Sequence, residues 1–212
     1  MHKDTKKEKG QTGRAGSLPV PTEADGVLSL RHFFFAGNTP LLELVISLPL
    51  PTGEGKGAKR IADFYRELAK NAITHAAEAL VPALQREYEA DTDPRKRFRH
   101  RPARLVVRGR VSEESADYFS VVRESRLMGA QGEKARREAD IFSAKSGRLH
   151  PPAYLRYKGV PLAPQATEKT AAAQAARKRK NRPRKAAGQT ARNAYFLENG
   201  ALWPLTDKFR IF

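Results

Sequence analysis

The sequence predicts an α+β fold in which one long helix packs across a face of an antiparallel sheet. Two observations predict it. Runs of β-branched and aromatic residues, separated by glycine and proline, lie on both sides of a single stretch with helical periodicity. The chain also has 212 residues, enough to bury an ordinary core without disulfides or metals.

The first two strands are predicted at residues 27–35 and 41–48. Their sequences, VLSLRHFFF and LLELVISL, are rich in the residue types that strands favour. Gly37 and Asn38 lie between them and favour a tight reversal of the chain. Pro49 ends the second strand, since proline cannot donate to a strand ladder.

A long amphipathic helix is predicted from Ala58 onwards. Apolar side chains recur there at helical spacing, on a stripe formed by Ile61, Phe64, Tyr65, Leu68, Ala72, Ala76, Leu80, Leu84 and Tyr88. Pro82 lacks a backbone donor and its ring crowds the preceding turn. The sequence therefore predicts a kink or a helix end near Leu80.

Further strands are predicted after the helix, at residues 103–111, 118–127, 139–144 and 195–197. The second and third of these are joined by a loop with glycines at 129 and 132. Gly147 follows in a turn that favours positive φ. These strands complete the predicted antiparallel sheet.

The chain is predicted to form one domain at residues 26–212. Residues 1–25 carry almost no large apolar side chains, so a disordered N-terminal arm is expected. Residues 163–192 are alanine-rich and basic without a wide apolar stripe, which is typical of a marginal helix or a charged loop inserted into the domain.

Several motifs together resemble a bacterial domain family of largely unknown function, best known as the ectodomain of lysozyme-sensing anti-sigma factors. The chain offers ELVISLPLPTG before RIADFYRELAKNAITHAAEAL, then GAQG, DIFSAKSGRL and YFLENGALWPL in the family's order. The family's loop usually carries histidine where Gln131 stands. The resemblance implies a non-enzymatic binding or sensing module for a protein or cell-wall ligand. The implied ligand-binding residues are Gly129, Ala130, Gln131, Gly132, Ser146 and Gly147.

Charge favours a second hypothesis, a basic cytoplasmic protein that binds RNA or DNA. The chain has 40 basic and 23 acidic residues, a formal net charge of +17. Flexible cationic runs neutralise phosphates and bind nucleic acid without sequence specificity. The alternative, that the basic runs are solvated loops whose charge has no specific partner, remains open. The candidate residues are Arg95, Lys96 and Arg97 in one run, and Arg177, Lys178, Arg179, Lys180, Arg182, Arg184 and Lys185 in another.

Patterns typical of catalysis are missing from the sequence. The five histidines are scattered without metal-ligand spacing, and the chain has no cysteine for a thiolate site or a nucleophile. Residues 53–59, GEGKGAK, lack the hydroxyl that follows lysine in a nucleotide-binding loop. We therefore expect no enzyme activity, no cofactor and no metal.

The sequence also shows no apolar stretch long enough to span a bilayer and no signal-peptide pattern. We therefore expect a cytoplasmic protein without a membrane partner.

Overall fold

The computed structural model describes residues 18–91, 93, 101–130, 132–150, 156–157, 160–161 and 195–205. Six strands form one sheet in chain order: β1 (Thr22–Ala24), β2 (Val27–Ala36), β3 (Thr39–Pro49), β4 (Ala103–Glu114), β5 (Tyr118–Gly129) and β6 (Gly132–Ser143). A long helix lies between β3 and β4 in the chain. The predicted α+β class is confirmed.

The sheet is antiparallel except at its centre, where β3 and β4 pair in parallel. The parallel register runs from Leu42 opposite Ala103 to Ser47 opposite Arg108. The helix is the crossover that returns the chain to the end of the sheet where β3 began, as a parallel connection requires. We expected an antiparallel sheet, and the structure differs from that prediction at this one parallel pair.

The helix does not end near Leu80. It runs as α1 (Lys56–His75), a π-helical segment (Ala76–Leu80) and α2 (Val81–Ala90). In the π segment the Val81 N–H donates to the Ala76 carbonyl. Since the ring of Pro82 crowds the turn before it in a regular α-helix, a wider turn at this point lets the helix continue.

The main core lies between this helix and one face of the sheet, called here the helix face. Alternate residues of the central strands point into it, including Leu44 and Ile46 of β3 and Val107 of β4. Tyr65 and Ile73 of α1 meet them from the helix side, and both are nearly fully buried. Each such large apolar side chain contributes roughly 1.5–3 kcal/mol through burial.

A second layer covers part of the opposite face. The hairpin of β9 (Tyr195–Glu198) and β10 (Ala201–Pro204) packs there, with Leu197 and Leu202 against Tyr118 and Ile141. The Leu197 N–H donates to Ser120 Oγ at 3.1 Å. The strand predicted at 195–197 is confirmed, but it pairs with β10 in a separate two-stranded sheet and does not join the main sheet as we expected. A separate short pair joins β7 (Arg156–Tyr157) to β8 (Val160–Pro161).

Two predicted boundaries are wrong. Residues 18–25 were assigned to the disordered arm, but β1 pairs with β2, and Arg66 donates to both Glu23 carboxylate oxygens at 2.6 and 2.8 Å. Residues 1–17 and 162–194 lie outside the described residues. Strand β6 begins at Gly132 rather than 139, because its first half is a charged edge strand without the apolar alternation that marks a buried one.

Candidate anion-binding face

The glycine loop predicted to bind a ligand is the tip of a long hairpin. Strands β5 and β6 pair along their whole length, from Tyr118 opposite Ser143 to Gly129 opposite Gly132. Gly129, Ala130 and Gly132 are exposed, and no atom lies within 4 Å of a Cβ built on Gly132. Gln131 lies outside the described residues. The tip is therefore open to a partner.

The turn with Ser146 and Gly147 lies at the other end of β6 and packs against α1. Arg60 donates to the Ser146 carbonyl at 3.2 Å. Gly147 has φ of +65°, and a Cβ there would lie 2.5 Å from the Gly57 carbonyl oxygen. A twelve-residue strand separates this turn from the tip, a distance of roughly 35 Å. The two parts of the predicted ligand site are thus not brought together.

Both basic runs, residues 95–97 and 177–185, lie outside the described residues. The described sheet nevertheless carries its own basic surface, on the face opposite the helix. Side chains of alternate residues in β2, β4, β5 and β6 point to that side. We call it the arginine face, and its arginines are Arg31, Arg104, Arg108, Arg110, Arg126 and Arg137.

Glu43 organises one half of the arginine face. This residue is 9% exposed and lies on β3 between two arginines of neighbouring strands. Arg31 donates through Nε to Glu43 Oε1 at 2.8 Å. Arg104 Nε lies 3.0 Å from Glu43 Oε2 without the alignment of a hydrogen bond. One carboxylate thereby holds two guanidinium groups in place.

Glu124 of β5 plays the same part in the other half. It accepts hydrogen bonds from Arg137 Nε at 2.9 Å and from Arg126 at 3.1 Å. Burial works to raise the pKa of Glu124, but the hydrogen bonds from the two arginines outweigh it and lower that pKa. Glu124 is therefore a carboxylate at neutral pH, and both cations stay anchored.

Arg108 of β4 lies directly opposite Glu124 in the strand register. It is exposed, and among the residues that the structure describes it has no ion-pair partner. Its neighbour Arg110 pairs with Glu198 of the C-terminal hairpin at 3.3 Å. With Glu133 as the other acidic contact, six arginines meet four glutamates, so the arginine face keeps a positive charge.

A third charged cluster lies in the core and is closed to ligands. Arg123 is paired with Asp140 through two contacts and with Glu138 at 3.2 Å. The Tyr65 hydroxyl lies 3.4 Å from Asp140. Burial raises the pKa of Tyr65 well above its ordinary value. Since Asp140 is 2% exposed, this cluster fixes α1 on the sheet.

No three side chains of the described residues are grouped as metal ligands. Within the same residues, no helix is both long enough and apolar enough to span a bilayer.

No family model and no curated protein matches the chain. Two similar solved structures are DUF3298 family proteins, one from Bacteroides fragilis NCTC 9343 and one from Pseudomonas aeruginosa PAO1. The first is 9% identical over 59% of this chain and 57% of its own, with a TM-score of 0.40. The second is 16% identical over 74% and 63%, with a TM-score of 0.38. The chain spans less than two thirds of either structure.

Sequence reasoning missed the arginine face, although one signal for it was present. In the run RLVVRGR of β4, Leu105 and Val107 alternate with arginines. Strand alternation then places Arg104, Arg108 and Arg110 together on the side away from the core. The partners Glu43 and Glu124 become visible only once the register of the sheet is known.

Proposed function

We propose that this protein is a non-enzymatic binding module, and that its ligand is a single-stranded nucleic acid lying across the arginine face. One observation carries the proposal. Each of two buried carboxylates is shared by two arginines, so guanidinium groups are held in fixed positions before a ligand arrives. Guanidinium has five donors in a rigid fork, and such a group can bind a phosphate while still paired to a carboxylate.

The dimensions of the face support an extended ligand. From β2 to β6 it crosses five strands, a width of about 19 Å. Phe33 and Phe35 lie on the edge strand β2, where their ring centroids are 6.4 Å apart, and Phe35 is 57% exposed. Exposed aromatic rings beside a basic groove are typical of proteins on which single-stranded bases stack.

The basic run of residues 177–185 belongs to the same proposal as a second source of phosphate contacts. A net charge of +17 would speed association with any polyanion. A cytoplasmic location, where nucleic acid is accessible, is part of the proposal.

A second candidate is a protein or cell-wall ligand at the hairpin tip. The open space around Gly132 favours it, because a partner could approach the backbone closely there. This candidate makes a different demand. Binding of such a ligand requires the hairpin tip and does not depend on the arginines. Variants of the tip and of the arginine face therefore distinguish the two candidate functions.

The test is a titration of labelled single-stranded RNA and DNA at two salt concentrations. We expect salt-sensitive binding that is weakened in an Arg104→Ala/Arg108→Ala double variant. Glu43 keeps Arg31 as a partner in that variant, so the fold should be preserved. Losing two phosphate contacts should reduce the slope of log affinity against log salt by about 1.4.

The matched control is Lys70→Ala/Arg86→Ala, which removes two exposed positive charges from the helix on the other side of the sheet. It should bind almost as the unaltered protein does. Equal losses of affinity in both double variants would show that net charge alone explains the effect. That result would overturn the arginine face as the binding site. Loss of binding only when residues 177–185 are neutralised would do the same, and would leave that run as the nucleic-acid site.

A further inference from the structure

Strand β2 has a long free edge. Strand β1 pairs only with its first residues, from Val27 opposite Ala24 to Ser29 opposite Thr22. Within the described part of the chain, no strand pairs with the outer side of residues 30–36. Their sequence is LRHFFFA. A free edge of this length presents unpaired backbone donors and acceptors to another strand.

The other edge of the sheet is protected in ways that β2 is not. The outer half of β6, residues 132–138, reads GEKARRE, and charged edge residues discourage pairing with another chain. Its far end is covered, since the His150 N–H donates to the Ile141 carbonyl at 2.7 Å and the Ser143 N–H to the Arg148 carbonyl at 2.9 Å. The contrast marks β2 as the edge open to a partner.

The backbone of β2 also remains regular. The sheet has an irregularity where Phe34 pairs with Leu42 but Phe35 pairs with Pro40, so the extra residue is Leu41 of β3. A bulge in the edge strand itself would disrupt pairing there. Because the extra residue lies on the inner neighbour, β2 keeps a consecutive row of residues along its outer side.

We propose that β2 pairs antiparallel with β2 of a second copy of this chain, about a two-fold axis at Phe33. Two-fold symmetry then places Phe33 opposite its own copy and Arg31 opposite Phe35 of that copy. In one chain the Arg31 guanidinium already lies 5.6 Å from the centre of the Phe33 ring. Guanidinium over an aromatic face is attractive, so the edge is complementary to itself.

The same register places His32 opposite Phe34 of the copy, on the helix side of the sheet. Within the chain these two rings already meet edge to face, with centroids 4.8 Å apart. Aromatic pairs directly across two strands stabilise the pairing of those strands. This pairing joins two six-stranded sheets into one and does not depend on the proposed nucleic-acid ligand.

Analytical ultracentrifugation of the whole chain without nucleic acid tests for the dimer. We expect concentration-dependent dimerisation that strengthens with salt, because both copies are strongly positive and salt screens their repulsion. A Phe35→Lys variant should weaken the dimer at least tenfold. The control Val20→Lys adds the same charge at a site that is 80% exposed and outside the sheet, and it should have a much smaller effect.

Cysteine cross-linking tests the register, since the natural chain has no cysteine. Residues directly opposite in an antiparallel pair have Cα atoms about 4.5–5.5 Å apart, within disulfide reach. Phe33→Cys should therefore form a disulfide-linked dimer on mild oxidation. Arg31→Cys alone should not, because its copy lies about 13 Å further along the strand. An equal mixture of Arg31→Cys and Phe35→Cys should cross-link.

A chain that stays monomeric to its solubility limit overturns the proposal. So does Phe33→Cys cross-linking no faster than Val20→Cys. Either result would mean that any strand pairing with the β2 edge comes from another protein and not from a second copy of this chain. Cross-linking by Arg31→Cys alone would overturn the axis at Phe33.

Discussion

Strand β6 has a glycine-containing turn at each of its two ends, and these two turns have different structural roles. At one end, called here the open end, Gly129, Ala130 and Gly132 are exposed, and no atom lies within 4 Å of a Cβ built on Gly132. At the other, the Gly147 turn lies against the first turn of α1. Near this closed end, Asp140 and Phe142 are buried, whereas Glu133 at the open end is exposed. A glycine in a turn can therefore serve close packing at one end of a strand and backbone freedom at the other.

The difference matters for function, because only the open end can be altered without affecting the core. At the closed end, a Cβ on Gly57 would collide with the Ala144 carbonyl, so helix and turn approach as closely as their backbones allow. The loss of stability caused by a substitution along β6 should therefore depend on the end at which it lies more than on the type of residue replaced.

Asp140→Asn should give the largest effect, a loss of about 3–5 kcal/mol in the free energy of unfolding. The change removes the buried negative charge that Arg123 contacts and leaves that cation with Glu138 alone. Urea denaturation measures it. The control Glu138→Gln, at a residue whose side chain is 18% exposed, should cost much less. Equal losses would contradict the central role given to Asp140.

Gly57→Ala should follow, with a loss of about 2–3 kcal/mol from overpacking. The new methyl group meets backbone of the turn at residues 144–145, which cannot move aside as a flexible side chain would. Gly53→Ala is the control, since nothing lies within 4 Å of a Cβ at that position. Thermal unfolding of the two variants should separate clearly. Similar midpoints would show that the closed end tolerates expansion.

Gly132→Ala should have a smaller effect than Gly57→Ala, about 1 kcal/mol from backbone strain alone. Its φ of +106° disfavours any side chain, but the space around it is empty. At Gly129 the nearest atom to a built Cβ is the Ala103 Cβ at 3.7 Å, an ordinary contact. Gly129→Ala should thus stay within about 0.5 kcal/mol of the unaltered protein in urea denaturation. A Gly132→Ala loss as large as that of Gly57→Ala would remove the distinction between the ends.

Much of the fold could be predicted from local sequence. The helix period predicted α1, and alternation with turn residues predicted the β2–β3 and β5–β6 pairs. Both signals act over short distances along the chain. The parallel pairing of β3 with β4 and the π segment before Pro82 depend on how distant parts pack, and no local pattern specified them.

The candidate site was less accessible to prediction for the same reason. Tyr65 and Asp140 are separated by 75 positions, and Glu43 meets Arg104 across the parallel pair. Such contacts follow from register, which the hydrophobic pattern of one strand does not fix for a strand so far away in sequence. The resemblance pointed to the glycine tip and the Gly147 turn as one site because it compared motifs in order and not in space.

The parallel pairing at the centre of the sheet also has a consequence for how the chain folds. Strands β1 to β3 and strands β4 to β6 each form a local antiparallel meander, whereas the parallel partners Leu42 and Ala103 are separated in the chain by the whole helix. Closing so long a loop is entropically costly, and it slows folding. We therefore expect the two halves to acquire structure early and the seam between β3 and β4 to form last.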